Sequence, residues 1–198
     1  MATQAERRAA TRGRLVEAAR ELFARDGFEA TPTEGILAAA GVSRGALYHH
    51  FASKRDVFEA VFLAVSEQAI RGAVGRRRPG ASPLEDLIAS CLAWLREVRR
   101  PEVAAILIDQ GPQVLGWKRA RDLEARTSLG LMTRALERAR DAGEIAVPSV
   151  PLAARLLNAA LAEAALAALH AEPRTSRATR EAAIRQLIDG LRAPGDGA

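Results

Sequence analysis

Apolar residues recur along this chain at intervals of three and four, and alternating runs of β-branched or aromatic residues are nearly absent, which predicts an all-α fold. Leu15, Ala18, Ala19, Leu22 and Phe23 form the stripe of a first helix from about Glu6 to Asp26; Gly27 stops it and Phe28 turns back toward the core. Thr31-Pro32-Thr33-Glu34 then combines a capping hydroxyl, a proline at the first helical position and a carboxylate three residues after the cap. That second helix is short, ending before Gly41, and Ser43 caps a third through Phe51. Ser53-Lys54-Arg55-Asp56 opens a fourth helix to about Ala73, with Val57, Val61, Phe62 and Val65 on its apolar side. Further helices are predicted near 83–99, 101–115, 117–141, 150–171 and 178–192, limited by Pro101, Gly111-Pro112, Gly143, Pro148, Pro151 and Pro173.

Composition adds exclusions. A chain of 198 residues, 48% hydrophobic and 27% charged, can bury a core without disulfides and is not disordered throughout. The single cysteine, Cys91, makes no intrachain disulfide, and with three histidines it is too little for the usual zinc frameworks, so no cofactor is expected and a reducing, cytoplasmic location suits it. Among apolar helical neighbours Cys91 reads as an inert core thiol rather than a redox sensor. The N-terminal stretch lacks an apolar signal-peptide core, and charges are expected to break every later apolar run before the roughly 18 residues needed to span a bilayer. The net charge is +5, and residues 1–55 carry 9 basic against 6 acidic groups, which favours a polyanionic partner for the front of the chain.

Two short helices joined by Gly41-Val42 have the arrangement of a helix-turn-helix, whose second helix enters the DNA major groove. On that second helix Leu47 and Phe51 face inward, leaving Arg44, Gly45, Tyr48 and His49 outside with Ala46 and His50 beside them, a face without carboxylates. Arg44 can fork onto guanine, Ala46 can touch a thymine methyl, and Gly45 keeps the helix start thin. Lys54 and Arg55 in the first turn of the fourth helix oppose its dipole, and a DNA phosphate bound there would offset the conflict. Thr33 and Tyr48 are further phosphate candidates, and Arg7, Arg8, Arg12 and Arg14 a possible basic arm. Arg76-Arg77-Arg78 reads as solvated loop charge.

The stretch from Thr11 to Phe62, above all Thr31 to Lys54, closely resembles the DNA-binding region of TetR-family transcriptional regulators. The resemblance implies that Thr33, Ser43, Arg44, Gly45, Ala46, Tyr48, His49, His50 and Lys54 contact operator DNA. Gly35 departs from the family pattern, which has a polar or charged helix former there. Three other readings compete. Gly41-Val42-Ser43-Arg44-Gly45 is literally a G-x-S-x-G string, with Asp109 and His170 following in hydrolase order, but a nucleophile elbow needs a strand before it and an alanine-rich helix is predicted instead. An architectural DNA binder would share the front of the chain; an interaction module would bind no DNA.

The expected division is a DNA-binding domain over 1–55 and an effector-binding and dimerisation domain over 56–198. Between Pro151 and His170 only Arg155 and Glu163 are charged, and stripes of Leu152 with Leu156 and of Leu157 with Leu161 leave that helix apolar on more than one side. With Ala165 and with Ile184, Leu187, Ile188 and Leu191 of the last helix, it predicts a four-helix homodimer interface. Family resemblance further implies a small-molecule effector pocket, for which Trp94, Trp117 and Met132 are apolar candidates and Asp109, Gln110 and Asn158 polar ones.

Overall fold

The chain was described through a computed structural model covering residues 3–74, 80–169 and 175–194; Arg76-Arg77-Arg78 and His170 lie outside the described residues. Its elements are α1 (Gln4–Asp26), α2 (Thr33–Ala40), α3 (Arg44–His50), α4 (Lys54–Val74), α5 (Pro83–Glu97), α6 (Pro101–Ala104), a π-helical turn (Ala105–Gln110), α7 (Gly111–Leu115), α8 (Trp117–Asp141), α9 (Val150–Leu169) and α10 (Arg177–Asp189). The fold is all-α: among the described residues the only β pairing is an isolated antiparallel bridge between Ile145 and Arg192.

The caps explain most of the boundaries. Ser43, Ser82 and Ser176 each accept a hydrogen bond from the amide three residues on, at the starts of α3, α5 and α10. Gly41 ends α2 at φ +62°, a left-handed conformation that a side chain would strain, and lets Val42 donate its N–H to the Leu37 carbonyl (3.2 Å). The start of α2 corrects the expectation. Thr31 is buried and spends its hydroxyl on the Gly27 carbonyl (2.7 Å), so Pro32 takes the cap position without any side-chain hydrogen bond. Gly111-Pro112, expected as a limit, lies inside helical backbone. Proline has no N–H and its ring conflicts with the carbonyl four residues back, and the wider π turn just before it relieves that conflict.

By compactness the chain forms two units, Met1–Ser66 with Pro101–Arg121, and Glu67–Arg100 with Asp122–Ala198, a partition different from the 1–55 and 56–198 division. The first unit buries Leu15, Ala19 and Phe23 of α1, Ile36 of α2, Leu47 of α3 and Val57, Phe58, Val61 and Phe62 of α4. Phe23, Phe28 and Phe58 form an aromatic triangle with ring centroids 5.3–5.5 Å apart. Gly111 belongs to this unit, where a Cβ would stand 2.5 Å from the Phe62 ring, so the absence of a side chain is a packing requirement. A salt bridge joins Arg20 to Glu102, and Gln110 donates its amide to the Phe23 carbonyl (2.9 Å).

The second unit buries Leu84, Leu87, Ile88, Cys91 and Leu95 of α5, Leu123, Met132 and Leu136 of α8, Ala154, Leu157, Leu161 and Ala165 of α9, and Ile184 and Ile188 of α10. Glu144 closes the start of α5 by accepting from the Ser82 hydroxyl (2.9 Å) and the Leu84 amide (2.8 Å). Burial pushes the Cys91 thiol up to about 12, which leaves it protonated and unreactive at neutral pH. One expectation fails here. Val150–Ala168 is long and apolar enough to cross a membrane, with mean hydropathy 1.4, because Arg155 and Glu163 alone do not interrupt it. In this fold it packs against α5 and α10.

Candidate nucleic-acid interface

α2 and α3 are the short pair joined at Gly41-Val42, and α3 is anchored by Leu47, fully buried, and by Phe51 just past its end. Anchoring at 47 and 51 turns Arg44, Gly45, Tyr48 and His49 outward, all exposed, with Ala46 and His50 partly covered at the edges. Tyr48 is 48% exposed, uncommon for an aromatic side chain in a unit with an aromatic core. The Arg44 guanidinium lies 5.9 Å from the centre of the Tyr48 ring, within reach of a cation–π contact. Ser43 uses its Oγ as the cap acceptor for the Ala46 amide (3.3 Å). The residues before it form α2 rather than a strand, so the G-x-S-x-G string is a helix boundary and not a nucleophile elbow.

This surface is not free of carboxylates. Glu34, on α2, comes within 3.7 Å of Arg44, and both side chains are about two-thirds exposed (66% and 67%). Exposed pairs of this kind contribute little, about 0–1 kcal/mol, and yield readily to a stronger anion. The pairing escapes sequence reasoning because 34 and 44 lie on different helices, brought together only by the turn at Gly41.

The start of α4 departs further from expectation. Lys54 donates from Nζ to the carbonyls of Phe28 (2.8 Å) and Thr31 (3.0 Å) while lying 4.3 Å from the centre of the Phe28 ring. Its ammonium is thereby held against the chain between α1 and α2, with its third N–H outside these two bonds and the side chain partly exposed. Arg55 donates to the Leu115 carbonyl at the end of α7 (2.8 Å). Both cations satisfy buried or terminal carbonyls, which offsets their unfavourable position at a helix start without any outside anion. Thr33 occupies the first position of α2, partly exposed.

The expected effector residues divide between the units: Asp109, Gln110 and Trp117 belong to the first, Trp94, Met132 and Asn158 to the second. Asp109 is exposed and Trp117 is 57% exposed, so neither faces a closed cavity wall within its own unit. The Gln110 oxygen is buried without a hydrogen-bond donor. Asn158 accepts from the Ser128 hydroxyl (2.7 Å), a partner that sequence spacing alone does not indicate.

The expected dimer residues also divide. Leu152, Leu156 and Leu187 are exposed at 56%, 62% and 53%, and Leu191 is partly covered. Leu161, Ala165, Ile184 and Ile188 are buried in the unit's own core, which leaves them almost no surface to offer a partner. The reason is helical phase: on α9 the positions 154, 157, 161 and 165 turn inward, and 152 and 156 fall on the other side.

Comparison with known proteins gives one consistent answer. A family model described as "Tetracyclin repressor-like, C-terminal domain" matches residues 84–191, and one described as "Bacterial regulatory proteins, tetR family" matches residues 15–61. The HTH-type transcriptional regulator UidR of Escherichia coli is 28% identical over 188 residues, covering 91% of this chain and 92% of UidR. Among solved structures, a TetR-family transcriptional regulator from Pectobacterium atrosepticum superposes with a TM-score of 0.82 at 28% identity, covering 98% of this chain and 99% of that one. RolR, solved in complex with resorcinol, shares the fold at 19% identity, with a TM-score of 0.76 over 97% of this chain and 92% of its own. With a C-terminal family match over more than half its length, a matching reading head at its front and an all-helical fold shared with these regulators, the chain belongs to the TetR family of helix-turn-helix transcriptional regulators.

Proposed function

We propose that this chain is a cytoplasmic repressor that binds a pseudo-palindromic operator as a homodimer and is released by a small-molecule effector. In this reading residues 1–55 read DNA, residues 56–198 carry dimer and effector sites, and there is no catalytic activity.

The observation that carries the DNA reading is Gly45. A Cβ built there would meet nothing closer than the Ser43 Oγ at 4.0 Å, so the fold does not require glycine. Glycine inside a helix destabilises by about 0.5–1 kcal/mol relative to alanine. A glycine that the packing does not demand, on the exposed start of α3, leaves room for a groove wall to approach the backbone closely. Arg44 beside it supplies a two-pronged donor for guanine, and Ser43, Ala46, Tyr48, His49 and His50 complete the surface.

Homodimerisation is supported by Leu152, Leu156 and Leu187, large apolar side chains left exposed on the contacting helices α9 and α10. A homodimer would offer two copies of α3 to the half-sites of a pseudo-palindrome, about one helical turn, ~34–36 Å, apart. For the effector, Trp94, Met132 and Asn158 with its partner Ser128 are the groups we assign to the binding region. The resorcinol complex of RolR supports a small organic ligand only as analogy of fold. A ligand preferring the non-binding conformation by roughly 1–3 kcal/mol lowers operator affinity 5- to 150-fold.

The test is selection of duplex fragments from random DNA at two salt concentrations. A two-fold symmetric motif is expected, with Arg44→Ala relaxing preference at one base position by about 1–3 kcal/mol and Leu156→Glu converting the protein to monomers with weak operator binding. Sequence-blind, steeply salt-dependent binding would instead make the protein an architectural DNA binder.

A further inference from the structure

Two sides of α9 meet different surroundings. Ala154, Leu157, Leu161 and Ala165 are buried in the second unit's core, and the opposite side is left uncovered. On that side Leu152, Leu156, Ala159, Glu163 and Leu166 follow at spacings of four, three, four and three, the interval at which one helix presents a continuous seam to another. Leu152, Leu156 and Glu163 are exposed, Ala159 and Leu166 partly so, and Arg155 stands exposed beside the seam. Arg155 and Glu163 are the only charged residues of α9, and neither side chain has a hydrogen-bond or ion-pair partner among the described residues. They cannot serve each other, because the eight residues between them span ~12 Å of helix axis. Glu163 is thus a lone carboxylate in an apolar seam. A partner that covered it without bringing a cation would bury an uncompensated charge at high cost.

We propose that this seam takes the same seam of a second, identical chain in antiparallel register, Arg155 of each copy pairing with Glu163 of the partner subunit, so that the chain selects its own copy. The proposal rests on the homodimer reading and goes beyond it by fixing the register and the source of selectivity. A two-fold axis that crosses two facing helices at right angles makes them antiparallel and pairs residues equally far on either side of the crossing point. Arg155 lies four residues before Ala159 and Glu163 four residues after it, so an axis near Ala159 brings the opposite charges together twice. Ala159 suits that position, since a small side chain lets the helix axes approach closely. The same register sets Leu152 against Leu166 of the partner subunit. A parallel alignment would instead set each charge against its own kind. Charges beside and within a seam act mainly in this way, choosing partner and orientation by what they reject.

The experiment measures dimer affinity of the full chain by sedimentation velocity over a concentration series, for the wild type, R155E, E163R and the double exchange R155E/E163R. Each single variant places like charges at both contacts and is expected to weaken the dimer roughly 10- to 100-fold. The double exchange restores opposite charges in reversed order and should return the affinity to near the wild-type value; because it carries both substitutions, its recovery separates charge pairing from damage to the fold. An equimolar mixture of R155E and E163R should form the mixed dimer in preference to either homodimer, read by native mass spectrometry, since both of its contacts are again between glutamate and arginine. A double exchange no tighter than the single variants, or a mixture with only statistical proportions, would overturn the proposal. So would single variants that dimerise as tightly as the wild type, a result that leaves the homodimer reading standing through another register. A wild-type chain that stays monomeric would remove both and leave the seam to an occupant other than a second copy.

Discussion

The outer face of α3 and the first turn of α4 are separated by a few residues and carry similar side chains, yet they are built for opposite purposes. At the start of α4 the cations have internal partners: Lys54 in the carbonyls of Phe28 and Thr31, Arg55 in that of Leu115. On α3 and the neighbouring face of α1 the cations are left over, with Arg44 held only by the exposed Glu34 and Arg8 and Arg12 by no carboxylate. Glycines divide in the same way. Gly111 is demanded by Phe62 at 2.5 Å, whereas Gly45 faces open space. Counting charges or glycines therefore says little about function; what matters is whether the fold already uses them.

Substitutions can break this contrast, and the largest effect is expected at Lys54. Lys54→Ala removes two charge-assisted hydrogen bonds and a cation–π contact, and urea denaturation should show a loss of about 2–3 kcal/mol. A variant of unchanged stability with uniformly weaker DNA binding would return Lys54 to the phosphate role. Next comes Gly111→Ala, whose methyl meets Phe62 and the Ile106 carbonyl and should destabilise by about 2 kcal/mol in the same assay. Gly45→Ala should act in the other direction, stabilising by up to about 1 kcal/mol while weakening operator binding. Gly35→Ala sharpens that comparison: its Cβ would make ordinary contacts at 3.5–4.0 Å, so it should stabilise α2 by a similar amount. The smallest effect is that of pH. Partial burial, His49, Arg8 and Arg12 make His50 bind its proton less readily folded than unfolded, so its contribution to stability is complete above the unfolded value of 6.5. That contribution declines as pH falls through 6.5 toward the lower folded value, and His50→Asn should flatten the dependence seen by denaturation between roughly pH 5 and 7.5.

Helix number, order and most boundaries were legible in the sequence because serine caps, glycine stops and apolar spacing are local signals. The differences lie in which partners a side chain or a stretch of backbone finds in the fold. Thr31 looks like a cap until the fold gives its hydroxyl the Gly27 carbonyl, and the carbonyl partners of Lys54 appear only once Phe28 and Thr31 are folded against it. The π turn before Pro112 is a response of the backbone to proline, which sequence spacing reads only as a stop. On α9 the sequence shows two apolar stripes, Leu152 with Leu156 and Leu157 with Leu161, but not which one the chain's own core takes: Leu157 and Leu161 turn inward with Ala165, and Leu152 and Leu156 stay exposed.

The two bonds of Lys54 also fasten residue 54 to residues 28 and 31, enclosing α2 and α3 in a buckled loop of chain. Neither helix can swing away while the buckle is closed, and opening it exposes both. Amide hydrogens of α2 and α3 should thus exchange with solvent as one cooperative block, which makes the reading head a rigid instrument rather than two short helices fluctuating separately.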